Sequence, residues 1–599
     1  MHWGNGSASE DSVRYRATLY KAFALGSDTF LVLVPGTRLR IELSCQMKEV
    51  LDSCNVADTI RGLVLRVQNK LKMSCRSVAE QALRELIHQG LIVAEDRLVQ
   101  KASESFQSTR VISTIAFPTA DRAVQLRESL LSYARNARDH GREIEFIVMD
   151  GSKVATRESY VQSLGEIAHH CTIRYGGWTE KAEYVRLHIE EGIRPEVARF
   201  ALLGEFDETT CRTGSNRNSI LLDTVGRYII SVDDDTLCRL VVHPEHTKRL
   251  NLTDAGDPRD KWFYENQARV RAEIHYEALD FVGHHEALLG ISLASLVSKT
   301  NEVIFDGVCD RILRASWNGR SCVAATMSGV AGDSGMYSAI PLLRSTGETL
   351  SRLCSSEASL RCALRSRQVL SLVRGPTVVH RCPFMGYAIG LANVDTLPPF
   401  LPVGRNQDGV FGFLLGQSTP HLIGHVPLAV LHDNLARKDY ESFPLCRIAD
   451  LLPMLIMSLG GSYTRTEPVS LRFIGNALLE GGRLNDSDFL DWVSDTYTRQ
   501  WAENIRAMDR SLKMHPQYPI FWREEVLKIM EQSVVQLKDA NSCIPVEFRD
   551  HLPLESAQRA TKELVASFGA LLYEWCNIVE AAERLRQRER RISVELSEA

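Results

Sequence analysis

A chain of 599 residues with 44% hydrophobic and 24% charged residues is long enough for two to four domains, each with its own core. Its net charge of −5 and the lack of a basic block argue against a nucleic-acid binder that relies on a broad positive face. The fourteen cysteines are scattered without a Cys-x-x-Cys pair, which argues against a zinc site or a disulfide framework and for reduced thiols in a cytoplasm.

Residues 1–12 are small and polar, a composition that favours disorder, and they show no basic stretch followed by an apolar one, so no signal peptide is expected. From 15 to 97 the pattern predicts a compact α+β unit. Phe30–Val34 and Leu39–Leu43 read as a strand pair around a Pro35-Gly36 turn. Met47–Cys54 reads as a short helix and Val56–Lys70 as a longer one with a cap near Asn55. Ser77-Val-Ala-Glu80 fits a capping box that opens a helix over Ala79–Gln89, and Leu91–Ala94 closes the unit as a strand. Through these segments the unit resembles the PqqD-like, winged-helix recognition element of peptide-modifying enzymes. The resemblance implies that Leu39–Leu43 and Ser77–Gln89 clamp an extended leader peptide by strand addition. A generic winged helix with a structural role fits the same pattern.

Residues 98–109 are polar and read as a linker. Arg110–Phe117 is a buried strand, Ala123–Ala137 an amphipathic helix and Glu143–Met149 a second strand, which together predict a parallel βαβ unit. Ligands bind beyond the C-terminal ends of such strands, where Thr119, Arg122 and Asp150 lie. Residues 153–210 and 240–320 read as insertions, the second rich in charge and aromatics. Beyond 436 the chain is largely helical, with a long helix over Glu555–Gln587 and a charge run, Glu580–Arg591, that reads as a solvated face. The longest apolar segments, such as Leu451–Leu459, fall short of the ~20 residues that span a bilayer, so no stable membrane anchor is expected. The expected units are 15–97, 110–435 and 436–599.

The most informative stretch is Gly214-Ser-Asn-Arg-Asn218 followed by Tyr228-Ile-Ile-Ser-Val-Asp-Asp-Asp-Thr236. A buried strand that ends in three carboxylates is costly unless a cation neutralises them, and Mg²⁺ or Mn²⁺ takes such oxygen ligands together with phosphate. An acidic loop capping a strand end is the plainer reading. Arg217-Asn218, a spacer and then Val232-Asp-Asp-Asp235 resembles the core of family-2-type glycosyltransferases with a GT-A fold. The resemblance implies an α/β, Rossmann-like, mostly parallel central sheet and a nucleoside-diphosphate sugar donor held with Mn²⁺ or Mg²⁺. It places Thr119, Arg122, Arg217, Asp233 and Asp234 on the nucleotide sugar, Asp150 on the base and Asp235 on the metal.

Two later segments extend the resemblance. Arg405-Asn-Gln-Asp408 with Phe411 is similar to the acceptor-side motif, and implies that Asp408 is the general base of an inverting transfer. The family more often carries an acidic pair, whereas Gln407 precedes Asp408 here. His432, after the apolar run Leu428–Leu431, is the implied third metal ligand, with His425 as the alternative. Gly329-Val-Ala-Gly-Asp-Ser-Gly335 reads as a small-residue loop in which Asp333 meets either a sugar hydroxyl or its own turn. With a leader-binding unit in front, the expected acceptor is a ribosomally made precursor peptide. A polysaccharide or small-molecule glycosyltransferase with a structural N-terminal unit, and a non-catalytic peptide-binding scaffold, remain alternatives.

Overall fold

A computed structural model describes residues 13–34, 39–72, 75–97, 110–152, 157–206, 211–254, 256–300, 302–306, 310–317, 321–433, 440, 446–459, 468–514 and 516–596. The fold is mixed α/β, with one large sheet, many helices and a helical C-terminal region. The expected disordered start and the 98–109 linker lie outside the described residues.

The N-terminal unit has its own core, built on Val32, Leu43, Val50, Leu63, Leu83 and Ile92. Thr29–Leu33 and Arg40–Ser44 form the expected antiparallel pair, and Lys21–Ala24 joins them on the other side. Arg14–Ala17 pairs with both Ile92–Ala94 and Asp58–Thr59. Two local expectations are corrected. The second helix, Ile60–Leu71, starts later than read, because Thr59 accepts a hydrogen bond from Gly62 N and so caps it. The third helix, Arg76–His88, starts earlier, so Ser77 falls inside its first turn and no capping box forms; Glu80 instead pairs with Arg84 one turn on.

In the central sheet the parallel neighbours Arg227–Val232, Ile112–Thr119, Glu145–Asp150 and Ile173–Gly176 run side by side, as the βαβ pattern predicts. Ala388–Asn393 is antiparallel to Arg227–Val232, and Val323–Asp333 is antiparallel to it in turn. Two reversals restore the direction, so Val323–Asp333 and its parallel neighbour Leu422–His432 point the same way as the first four strands. One end of the sheet thus gathers Thr119, Val232, Asp333 and His432. Gly329–Asp333 is therefore the end of a buried strand and not the loop expected. Small residues suit it because a Cβ at Gly332, where φ is +103°, would lie 2.4 Å from His432 O.

The C-terminal helices pack on this sheet through a shared apolar core. Met149 and Ile229 of the sheet belong to the same buried cluster as Leu455, Phe568 and Trp575 of the helices. The long helix spans Leu554–Gln587, and Val594–Glu595 after it adds a strand beside Ile173–Gly176. The charge run is only partly a solvated face. Arg584 and Arg588 pair with Glu191, and Arg591 reaches inward to Glu145 and the buried Asp223. Among the described residues no helix is long and apolar enough to cross a membrane.

Candidate active site at the strand tips

A cleft of about 1350 Å³ opens over this end of the sheet. Thr119, Arg122, Arg217, Asp233, Asp234, Asp235, Asp408 and His432 all line it. Chain segments up to 313 residues apart in sequence thus meet where the sequence pattern placed a ligand.

The acidic triplet follows the strand Arg227–Val232 and turns sharply, since Thr236 N and Thr236 Oγ1 both donate to Asp233 O. The next strand then pairs antiparallel with Leu422–His432, with Thr236 opposite His432. Asp433 N donates to Asp235 O at 2.9 Å, which locks the two tips together. His432 Nε2 consequently lies 3.1 Å from Asp235 Oδ1. His432 Nδ1 donates to Asp333 O at 2.7 Å, which fixes the ring orientation and turns Nε2 toward Asp235, to which the protonated ring donates. Burial disfavours the imidazolium, but Asp235 outweighs it and raises His432 to about 9. Burial likewise opposes ionisation of Asp235, yet His432 and Arg122 hold it below the usual carboxylate range.

Each neighbouring carboxylate has its own partners. Asp234 is buried, accepts from Thr119 Oγ1 at 2.7 Å and pairs with Arg122 at 3.2 Å. Burial and Asp235 push it up to about 7. Arg122 also reaches Asp235 Oδ2 at 2.9 Å, leaving Oδ1 to face His432. Asp233 accepts from Arg217 Nη2 at 2.6 Å, and burial pushes it up to about 6 although Arg217 pulls the other way.

Arg217 sits on the helix Thr213–Asp223 and is 2% exposed. Its Nη2 also donates to Gly386 O, and the guanidinium lies 5.5 Å from the Phe400 ring centre. Its Nε and Nη1 are buried without a hydrogen-bond partner. Asn218 acts differently: its amide donates to Ala201 O and Phe400 O and accepts from Phe400 N, so it fastens the 393–406 loop to this helix. That loop delivers Asp408, which lies in the first turn of the helix Gln407–Ser418. Asp408 Oδ2 accepts from Gly386 N at 2.6 Å, so residue 386 links the Arg217 and Asp408 sides of the cleft.

Three expected contacts are corrected. Asp150 is 3% exposed, and its oxygens accept from Ser152, Tyr160 and Tyr175, so it presents no free edge to a nucleobase. Asp333 is fully buried in a two-point pair with Arg367 and accepts from Gly335 N at 2.7 Å, so of its two expected roles the turn is found and the sugar contact is not; its carbonyl orients His432. His425 lies inside its strand, 1% exposed and away from the cleft wall, where burial lowers it to about 3; it is not placed to share a ligand with Asp235.

Sequence reasoning missed two parts of the wall. Asp257, Arg259 and Lys261 form a buried cluster in which both cations pair with Asp257, and Arg259 also donates to Tyr387 OH. The alternating charges of Asp257-Pro-Arg-Asp-Lys261 were the available signal. The other part comes from the C-terminal region: Arg447, just before the helix Ile448–Leu459, stacks over the Tyr337 ring at 3.2 Å, and Met454, Met457, Tyr497 and Trp501 line the same cleft.

The donor set suits a hard or borderline divalent cation. A carboxylate oxygen and an imidazole nitrogen converge to 3.1 Å, and the far ring nitrogen is tied to a carbonyl, as metal-ligating histidines usually are.

No protein-family model matches the chain, and no curated protein sequence matches it. A chain of the E. coli microcin synthetase McbBCD complex is matched at 8% identity and a TM-score of 0.11, over 27% of this chain and 60% of that one. At that score the likeness carries no argument about fold or function.

Proposed function

We propose that the chain is a metal-dependent, inverting glycosyltransferase of GT-A type that moves a sugar from a nucleoside-diphosphate sugar. The observation that carries the reading is the convergence of Asp233, Asp235, His432, Arg217 and Asp408 on one cleft at the C-terminal tips of parallel strands. Ligands of open α/β sheets bind at such tips.

In this reading Asp235 and His432 hold Mn²⁺ or Mg²⁺, which when bound supplies Lewis-acid stabilisation of the departing diphosphate. Arg217, whose side chain lines the cleft, would add positive charge beside the diphosphate. Arg122 offsets the charge of Asp234 and Asp235 and so tempers their repulsion of the phosphates. Asp408 takes the proton of the acceptor hydroxyl or thiol as that atom bonds to the anomeric carbon. The bond from that carbon to the diphosphate oxygen breaks on the opposite face, so the configuration inverts.

The acceptor in this proposal is a precursor peptide, held by the PqqD-like unit at its leader. Tethering of this kind raises the effective concentration of the modified segment. The aromatic and methionine wall from the C-terminal helices offers apolar contact in the cleft that Asp408 also lines. The test is turnover of uridine, thymidine and guanosine diphosphate sugars with and without Mn²⁺ or Mg²⁺. Slow metal-dependent release of one nucleoside diphosphate supports the transferase. Equal release with and without metal removes the metal assignment.

A further inference from the structure

The opposite end of the sheet carries a cluster of side chains of metal-ligating type. Val323–Asp333 and Leu422–His432 are parallel, and Leu422 N donates to Cys322 O, so Cys322 and His421 stand side by side just before the two strands begin. Ala388–Asn393 runs the other way beside Val323–Asp333 and ends here, which brings up Asp395. The strand register therefore sets all three positions. Cys322 Sγ is 3.5 Å from His421 Nδ1, and Asp395 Oδ2 is 3.8 Å from His421 Nε2. One ligand atom from each residue can be chosen so that all three lie within 4.8 Å of one another. An eleven-residue strand separates this end from the cleft, roughly 35 Å at ~3.3 Å per residue.

We propose that Cys322, His421 and Asp395 bind a borderline divalent cation such as Zn²⁺, with water completing a tetrahedral shell. Thiolate, imidazole and carboxylate are the ligand types zinc takes, whereas Mg²⁺ and Mn²⁺ favour oxygen. The absence of a Cys-x-x-Cys pair does not bear on such a site, because its ligands come from three separate segments that only the sheet assembles. Exposure fits access for the ion: the Asp395 side chain is 63% exposed and that of His421 13%.

A bound cation deprotonates a coordinating thiol outright, so binding releases one proton to solvent as the sulfur–metal bond forms. The ion would staple the starts of two long strands to the end of a third, far from the transfer chemistry.

The test is Co²⁺ titration of the chelator-treated full chain under reducing conditions, read by the thiolate-to-cobalt charge-transfer absorption and by competition with Zn²⁺. The expected result is a band of one equivalent that Zn²⁺ removes, that Cys322→Ser abolishes and that Asp235→Asn leaves intact, because the cleft ligands carry no sulfur. Asp395→Asn, at an exposed carboxylate, should weaken Co²⁺ binding at least ~10-fold with the fold intact, and it keeps the test open if Cys322→Ser misfolds. No band in the wild type, a band that persists in Cys322→Ser, or unchanged affinity in Asp395→Asn would overturn the assignment. None of these outcomes depends on the transferase reading.

Discussion

Arg217 is the buried cation on which the acidic tip depends, and replacing it with methionine tests that dependence. The Arg217 side chain is 2% exposed and pairs with Asp233 at 2.6 Å. Removing one partner of a fully buried pair costs about 3–5 kcal/mol, because the remaining charge is stranded. The Asp233 side chain keeps 30% of its exposure, so water relieves part of that penalty and about 2–3 kcal/mol is expected. Protonation limits the cost further: burial already lifts Asp233 to about 6 against the pull of Arg217, and without the guanidinium it climbs higher. Asp233→Asn made in the Arg217→Met background removes the stranded charge and should restore about 1–2 kcal/mol, whereas in the wild-type background it should destabilise. The assay is urea unfolding of the four proteins without added metal, followed by tryptophan fluorescence. If Asp233→Asn costs as much beside methionine as beside arginine, the two residues do not stabilise each other and the reasoning fails.

Three further perturbations probe other parts of the site. In the proposed transferase, Asp408→Asn should lower kcat by about 10²–10⁴ while leaving nucleoside diphosphate affinity unchanged, since the general base proposed there acts only in the transfer step; an unchanged kcat in steady-state assays would remove Asp408 from that role. Burial pushes Asp450 from an ordinary 3.8 up to about 6, with Arg447 opposing, so the folded chain binds this proton more tightly than the unfolded one. The stability it contributes is complete below its unfolded pKa and is lost as pH rises toward the folded value, so Asp450→Asn should gain about 1–3 kcal/mol near pH 7.5 and much less near pH 4.5; a gain independent of pH in urea unfolding would contradict this. Gly214→Ala sets a Cβ 1.7 Å from Leu401 O, so the helix that carries Arg217 must shift. A loss of about 2 kcal/mol or more is expected, and unfolding at wild-type urea concentrations would show that the loop yields freely.

The pairing of apolar runs with polar residues at their ends made the cleft end of the sheet legible in the sequence. Thr119, Asp233 and His432 each follow a run whose burial is continuous, and all three arrive at the cleft. Asp150 and Asp333 close similar runs, and each accepts from a backbone N–H two residues on, but Tyr160, Tyr175 and Arg367 also enclose them, and no local pattern announces those partners. The same limit hid Asp257, Arg259 and Lys261, which matter only once Tyr387 and the cleft are beside them. In the N-terminal unit, Ser77-Val-Ala-Glu80 carried a capping pattern one turn too late, because the backbone was already helical at Arg76. Helix caps chosen by motif fail where a neighbouring residue starts the turn first.

Equilibrium binding of uridine, thymidine and guanosine diphosphates by calorimetry, with and without Mn²⁺, in the wild type and in Asp235→Asn, tests the central claim most directly. The account predicts that one nucleoside diphosphate binds with 1:1 stoichiometry, that Mn²⁺ tightens it at least ~10-fold and that Asp235→Asn abolishes the metal effect. Binding that is indifferent to both the metal and Asp235, or no binding of any nucleoside diphosphate, would contradict it.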